Sequence, residues 1–164
     1  MIDLIKFKGE MFNLGSEIKF YNEFRIVEGG SEEKNRKAVE DKTTDILLSP
    51  ERNAQNDKMT SRSSGLNQVL CKLAHDNKIA IGFSFSELLN SKEKSKIIGR
   101  WMQNIRLCRK YKVKMVLASF ANNKWEMRLP KDLFSLGLTL GMTGKEADES
   151  LNFKKKEAAI QRIA

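Results

Sequence analysis

The chain has 164 residues, enough for one domain of ordinary size and too few for two well-packed ones. With 40 % hydrophobic and 31 % charged residues and a net charge of +9, it fits a basic globular protein rather than a disordered or fibrous one. No stretch approaches the roughly 20 apolar residues that span a bilayer, and MIDLIKFKGE lacks the long apolar run of a signal peptide, so a cytoplasmic protein without membrane partners is expected.

In chain order, residues 2–8 and 17–21 are the first strand candidates. Residues 24–27 form the next, ending in Glu28-Gly29-Gly30. Ser31 then reads as an N-cap, with Glu32 and Glu33 in the first turn of a helix to about Glu40. DILL at 45–48 is a strand ended by Pro50, and a long polar segment, 49–64, follows it. Leu66, Val69, Leu70, Leu73 and Ala74 recur at helical spacing, and IAIGFS at 79–84 reads as a buried strand. A basic helix over 93–112 precedes a strand at 113–118. Pro130 suits the first turn of a helix bearing Leu133, Leu136 and Leu140 and stopping at Gly141. Thr143-Gly144-Lys145-Glu146 spells a capping box for a last helix through Leu151.

Strands alternating with helices predict an α/β fold with a largely parallel sheet. About five or six strands fall short of the eight of a complete (β/α) barrel, so an open or incomplete barrel is expected. Residues 1–151 form one domain in this reading, and 152–164 a basic tail or short helix.

The charge is uneven. Between Glu93 and Lys114 eight basic residues face Glu93 alone, which gives this stretch +7. Ile97, Ile98, Trp101, Ile105, Cys108 and Tyr111 make its apolar stripe, so the cations are expected on the exposed side. A solvated face is the plain reading, but solubility normally comes from mixed charge. A nearly acid-free face fits a polyanion, most simply nucleic acid, that releases counterions on binding.

Other motifs are weaker. His75, the single histidine, sits where a helix ends and reads as structural; a His-based triad or multinuclear metal centre cannot be assembled from it. Cys71 and Cys108 lack CxxC spacing and read as reduced core residues. Gly29 and Gly30 are not GxGxxG, and Glu32 and Glu33 repel a phosphate there, so turn geometry is expected. Asp45 and Glu51 flank one strand without a third ligand, which argues against a metal or an acid/base pair. The 49–64 segment leaves a strand's C-terminal end, where barrels bind ligands, and serves either contact or flexibility. Trp125 could stack on a base, with packing against the following helix the favoured role.

The string DILLSPE, a polar loop and then SSGLNQVLCKLAHDNKIAIGFSFSELL resembles the ribonuclease P protein component 3 family of archaea and eukaryotes. EGGSEEKNRKAVE upstream and MVLASFANNKWEMRLPKDLFSLGLTLGM downstream resemble the same family's flanking blocks, in the same order, over about residues 24–151. The resemblance implies a TIM-barrel-like fold related to the PHP phosphoesterases. It also implies an RNA-binding subunit of the ribonucleoprotein that removes the 5′ leader from precursor tRNA. Its partners would be ribonuclease P RNA, component 2 and other protein subunits. Catalysis would lie with the RNA and its Mg2+, with no catalytic residue, metal or cofactor on the protein. Carried over by block, Arg36, Arg52, Arg62, Arg100, Arg106, Arg109, Lys110 and Arg128 are the expected phosphate contacts. Ser64, Gly65 and Asn67 are expected to shape the loop. Two departures are expected: a start after the family's usual N-terminal βα portion, through a naturally reduced barrel, a misplaced start or a partner that completes the sheet, and a different turn where the usual Ser-Gly-Ala is here Ser119-Phe120-Ala121. The alternatives are a small PHP-like phosphoesterase with one carboxylate-held metal, and an assembly protein whose basic face meets an acidic protein.

Overall fold

A computed structural model describes residues 1–53 and 55–155. The 152–164 tail therefore lies largely outside the described residues. Six strands and six helices follow in order: β1 (Ile2–Ile5), β2 (Glu17–Phe20), β3 (Ile26–Glu28), α1 (Glu32–Glu40), β4 (Ile46–Leu48), α2 (Gln68–Asp76), β5 (Ala80–Ser84), α3 (Phe85–Asn90), α4 (Lys94–Tyr111), β6 (Met115–Ala118), α5 (Pro130–Thr139) and α6 (Gly144–Leu151). Short 3-10 turns at Tyr21–Glu23 and Lys124–Glu126 complete the described elements.

Every strand pair is parallel. β3-β4-β5-β6 form one sheet and β1-β2 another. A parallel bridge between Ile5 and Ala121 sets β1 beside the end of β6, and the Lys6 amide donates to the Ala121 carbonyl at 2.8 Å. Among the described residues no ladder joins β2 to β3, so the parallel strands make a TIM-barrel-like arc that is not closed.

Strand alternation splits the core into two layers. Leu4, Ile46, Leu48, Ala80, Val116 and Ala118 gather on the inner face with Phe24 and Phe120. Leu47, Ile81, Phe83, Met115 and Leu117 point the other way, under the helices, against Trp101, Ile105, Cys108 and Leu133. Both cysteines are buried and free.

The caps explain the element boundaries. Ser31 accepts from the Lys34 amide at the start of α1, Asn67 accepts from Leu70 at the start of α2, and Thr143 and Glu146 complete the capping box of α6. β6 starts two residues later than the apolar run suggests. Lys112 ends α4 in the left-handed region (φ 56°), and the Val113 amide donates back to the Cys108 carbonyl at 2.9 Å, so both are used in closing the helix. His75 holds the same corner, its Nδ1 2.9 Å from the Lys112 carbonyl oxygen. α3, six residues capped by Ser84, was absent from the sequence reading because so short a helix shows no periodicity.

Candidate nucleic-acid interface

The segment after β4 is an organised loop mounted on α4. Arg100 is its anchor and is only 3 % exposed. Its guanidinium donates to the carbonyls of Glu51 (2.9 Å) and Gln55, and to Asp57 Oδ1 (2.9 Å). Asp57 also accepts from the Ser63 amide (2.9 Å) and pairs with Arg62 (3.2 Å). Burial pushes the Asp57 carboxyl up, but the Ser63 amide and Arg100 outweigh it and hold it below the usual range. One turn along, Asn104 donates to the Ser64 carbonyl (2.9 Å), and Gln103 donates to the Ser64 hydroxyl (2.8 Å). Gly65 stands at φ +78° with its Cα against the Pro50 carbonyl, where a Cβ has no space. Gly29 abuts Pro50 from the other side, so close approach of two chain segments, rather than a turn, accounts for it. A cavity of about 430 Å³ lies along this loop, bordered by Lys58, Arg62 and Gln103.

The mouth of the arc, at the strands' C-terminal ends, carries a chain of ion pairs. Lys6 pairs with Glu28 (2.8 Å), Glu28 with Arg52 (2.9 Å) and Arg52 with Glu87 (2.6 Å), beside a cavity of about 400 Å³. Glu51 is buried below it and accepts from the Trp101 indole, while its second oxygen is buried without a hydrogen-bond partner. Burial pushes this carboxyl up to about 8, the nearby Glu87 adding to the shift and the indole opposing it. Asp45 serves elsewhere, accepting from the Arg25 amide at 2.9 Å. Among the described residues no group of three His, Cys, Asp or Glu is placed to hold a metal ion.

On the far side of the mouth, Glu126 gathers Ser86 Oγ (2.6 Å), Asn90 (2.9 Å) and the Asn122 amide (2.8 Å). Burial raises this carboxyl's pKa, but those hydrogen bonds outweigh it and leave it at about 2. Phe120 takes φ +45° in the departing turn, an uncommon state for a bulky residue, and fills the inner core against Tyr21. β1 is clamped here as well: Asp3, buried, accepts from the Ser119 amide and hydroxyl, each at 2.7 Å.

The eight expected phosphate contacts do not form one patch. Arg100 is a correction, since it lies inside the protein as the loop anchor and not on the exposed side of its helix. Arg109 is exposed but forks onto Glu146 (2.7 and 2.6 Å), and this pairing holds Glu146 at about 2. Arg36 pairs with Glu40, and Arg52 lies between two glutamates. Arg62 faces the loop cavity, while Arg128 donates to the Trp125 and Met127 carbonyls and covers the Phe85 ring. Arg106 and Lys110 stand exposed on α4, with Lys112 and Lys114 beyond its end. Trp125 is a second correction: at 71 % exposure it is not covered by the following helix, and its ring meets Phe12. Sequence reasoning missed Asp57, Gln103 and Asn104. Their signal was Arg100 and Asn104 one turn apart, a polar pair on the apolar side of a helix.

Residues 8–162 match the family described as RNase P subunit p30. Curated relatives named ribonuclease P protein component 3 include one from Methanosarcina acetivorans, 38 % identical over 129 residues, covering 77 % of this chain and 51 % of the relative. Another, from Thermococcus gammatolerans, is 39 % identical over 129 residues, covering 77 % of this chain and 56 % of its own length. The chain thus spans about half the length of the curated relatives it matches. A chain in a cryo-EM structure of archaeal ribonuclease P with mature tRNA superposes with a TM-score of 0.72 at 21 % identity, over 93 % of this chain and 87 % of that one. The superposition speaks for the fold, and the match along nearly the whole sequence speaks for descent: this chain belongs to the RNase P subunit p30 family.

Proposed function

We propose that this chain is an RNA-binding subunit of ribonuclease P, assisting removal of the 5′ leader from precursor tRNA while the RNA carries the chemistry. The observation that carries this reading is the run of exposed cations at the C-terminal half of α4, Arg106 and Lys110 with Lys112 and Lys114, in a chain of this family. Such a face costs self-repulsion in the free protein and gains counterion release on a polyanion. In this reading ribonuclease P RNA and precursor tRNA are the nucleic-acid partners, component 2 is the adjoining protein subunit, Mg2+ is bound by the RNA, and the particle works in the cytoplasm. Arg36, Arg62 and Arg128 extend the phosphate contacts, and Arg52 joins them by exchanging a glutamate for a phosphate.

The test is cleavage of precursor tRNA by a cognate ribonuclease P RNA at moderate magnesium, with and without this chain and its partner subunit. Cleavage that needs the RNA and rises with the protein is the expected result. Cleavage by the chain alone, abolished by chelation, would overturn the reading in favour of a metal-dependent phosphoesterase.

A further inference from the structure

The loops that follow β1 and β6 bring two exposed rings together at the rim of the mouth. Trp125 and Phe12 are 71 % and 39 % exposed and meet edge to face, with centroids 5.4 Å apart. Lys124 places its ammonium 5.4 Å from the Trp125 centroid and 5.6 Å from that of Phe12, and pairs with the exposed Glu10 carboxylate at 2.6 Å, which a phosphate would have to displace. The main chain that carries the indole is held in place. The Trp125 backbone amide donates to the Asn123 side chain at 3.0 Å, its backbone carbonyl accepts from Arg128 at 2.9 Å, and the next residue, Glu126, is buried in the hydrogen-bond cluster described above. A large apolar ring held out into water on a fixed turn loses hydrophobic free energy in the free protein.

We infer that Trp125, with Phe12 and Lys124, is a stacking platform for an unpaired nucleotide of an RNA, the base lying on the indole and the phosphate meeting Lys124. The inference rests on the RNA-binding reading and adds the kind of nucleotide recognised. A flat ring beside a cation suits single-stranded RNA, where every base offers a π-face and every linkage a negative charge. A protein partner is the poorer match, because the centres of protein interfaces are depleted in lysine and Lys124 sits beside both rings.

The chain has two tryptophans, and Trp101 is fully buried, so Trp125 is the one open to solvent and to a bound base. Titration of the full chain with a uridylate oligomer of about eight nucleotides should quench its emission and shield it from acrylamide. Trp125→Ala should weaken that binding on the order of tenfold and Trp125→Phe much less, with inorganic polyphosphate binding unchanged in both. Equal binding of the oligomer by wild type and Trp125→Ala overturns the platform. So does an Ala variant that binds RNA normally but no longer retains a protein subunit of the assembled particle. Absence of any RNA binding by the wild-type chain defeats the broader reading instead, and stimulated cleavage alongside an indifferent Trp125→Ala defeats the platform alone.

Discussion

Arg100 shows how far one residue's role can differ from its charge. Its helix is rich in lysines and arginines, yet its guanidinium is used inside the protein, on the main-chain carbonyls of Glu51, Asn53 and Gln55 and on Asp57. Replacing it with alanine leaves those acceptors without a donor and releases the loop from α4. Arg100→Ala should lower stability by about 2–4 kcal/mol, read from urea unfolding. It should also expose Lys58 and Arg62 to trypsin before the rest of the chain. A stable variant with a protected loop would show that the anchor lies elsewhere. Phe120 makes a related point: its backbone takes a conformation suited to glycine, and its ring is retained because the inner core is built around it.

At the scale of the element, α4 divides its cations by turn. Arg100 faces inward, Arg109 is tied to α6 through Glu146, and Arg106 and Lys110 remain for a polyanion. Neutralising Arg106 and Lys110 should therefore weaken binding to all RNAs alike and cut the slope of log K against log salt by about 0.7–0.9 per contact. Arg100→Ala, measured where it is folded, should leave the slope unchanged; a drop equal to that of Arg106→Ala would put its charge on the RNA. The helices and their caps were legible in the sequence, because Ser31 and Thr143 accept from amides three positions on and Pro130 fixes its own φ in a first turn. The parallel strands were legible as apolar runs to within two residues, except β1, which ends at Ile5, three residues before the expected end at Lys8. The organisation of the 49–64 loop was not, since it depends on Arg100 and Asn104, some 40–50 positions along the chain. Trp125 was misjudged for the same reason: exposure is set by what lies above a residue, which no local pattern records.

For the whole molecule, stability against pH follows from a few buried carboxyls. Glu51 titrates near 8 in the folded chain against an ordinary value of 4.5, so between those values the folded state holds a proton that the unfolded state releases. Its contribution is complete below about pH 4.5 and is lost as pH rises toward 8, with a slope of at most ~1.4 kcal/mol per pH unit. Asp3, also raised by burial, acts in the same sense. Glu126 and Glu146, both held at about 2, act oppositely: their contribution is present above pH 4.5 and is lost as pH falls through 2. Urea midpoints should accordingly peak near pH 5, and Glu51→Gln should flatten the decline on the alkaline side. An unchanged decline in that variant would assign it to another group. The clamp between Asp3 and Ser119 also bears on the order in which the chain assembles. It joins residues 116 positions apart, so β1 has no place beside β6 until the chain has been made through Ser119 and Ala121. During synthesis β1 and β2 can therefore pair with each other early, while the other edge of β1 stays open until β6 has been made after β3 to β5.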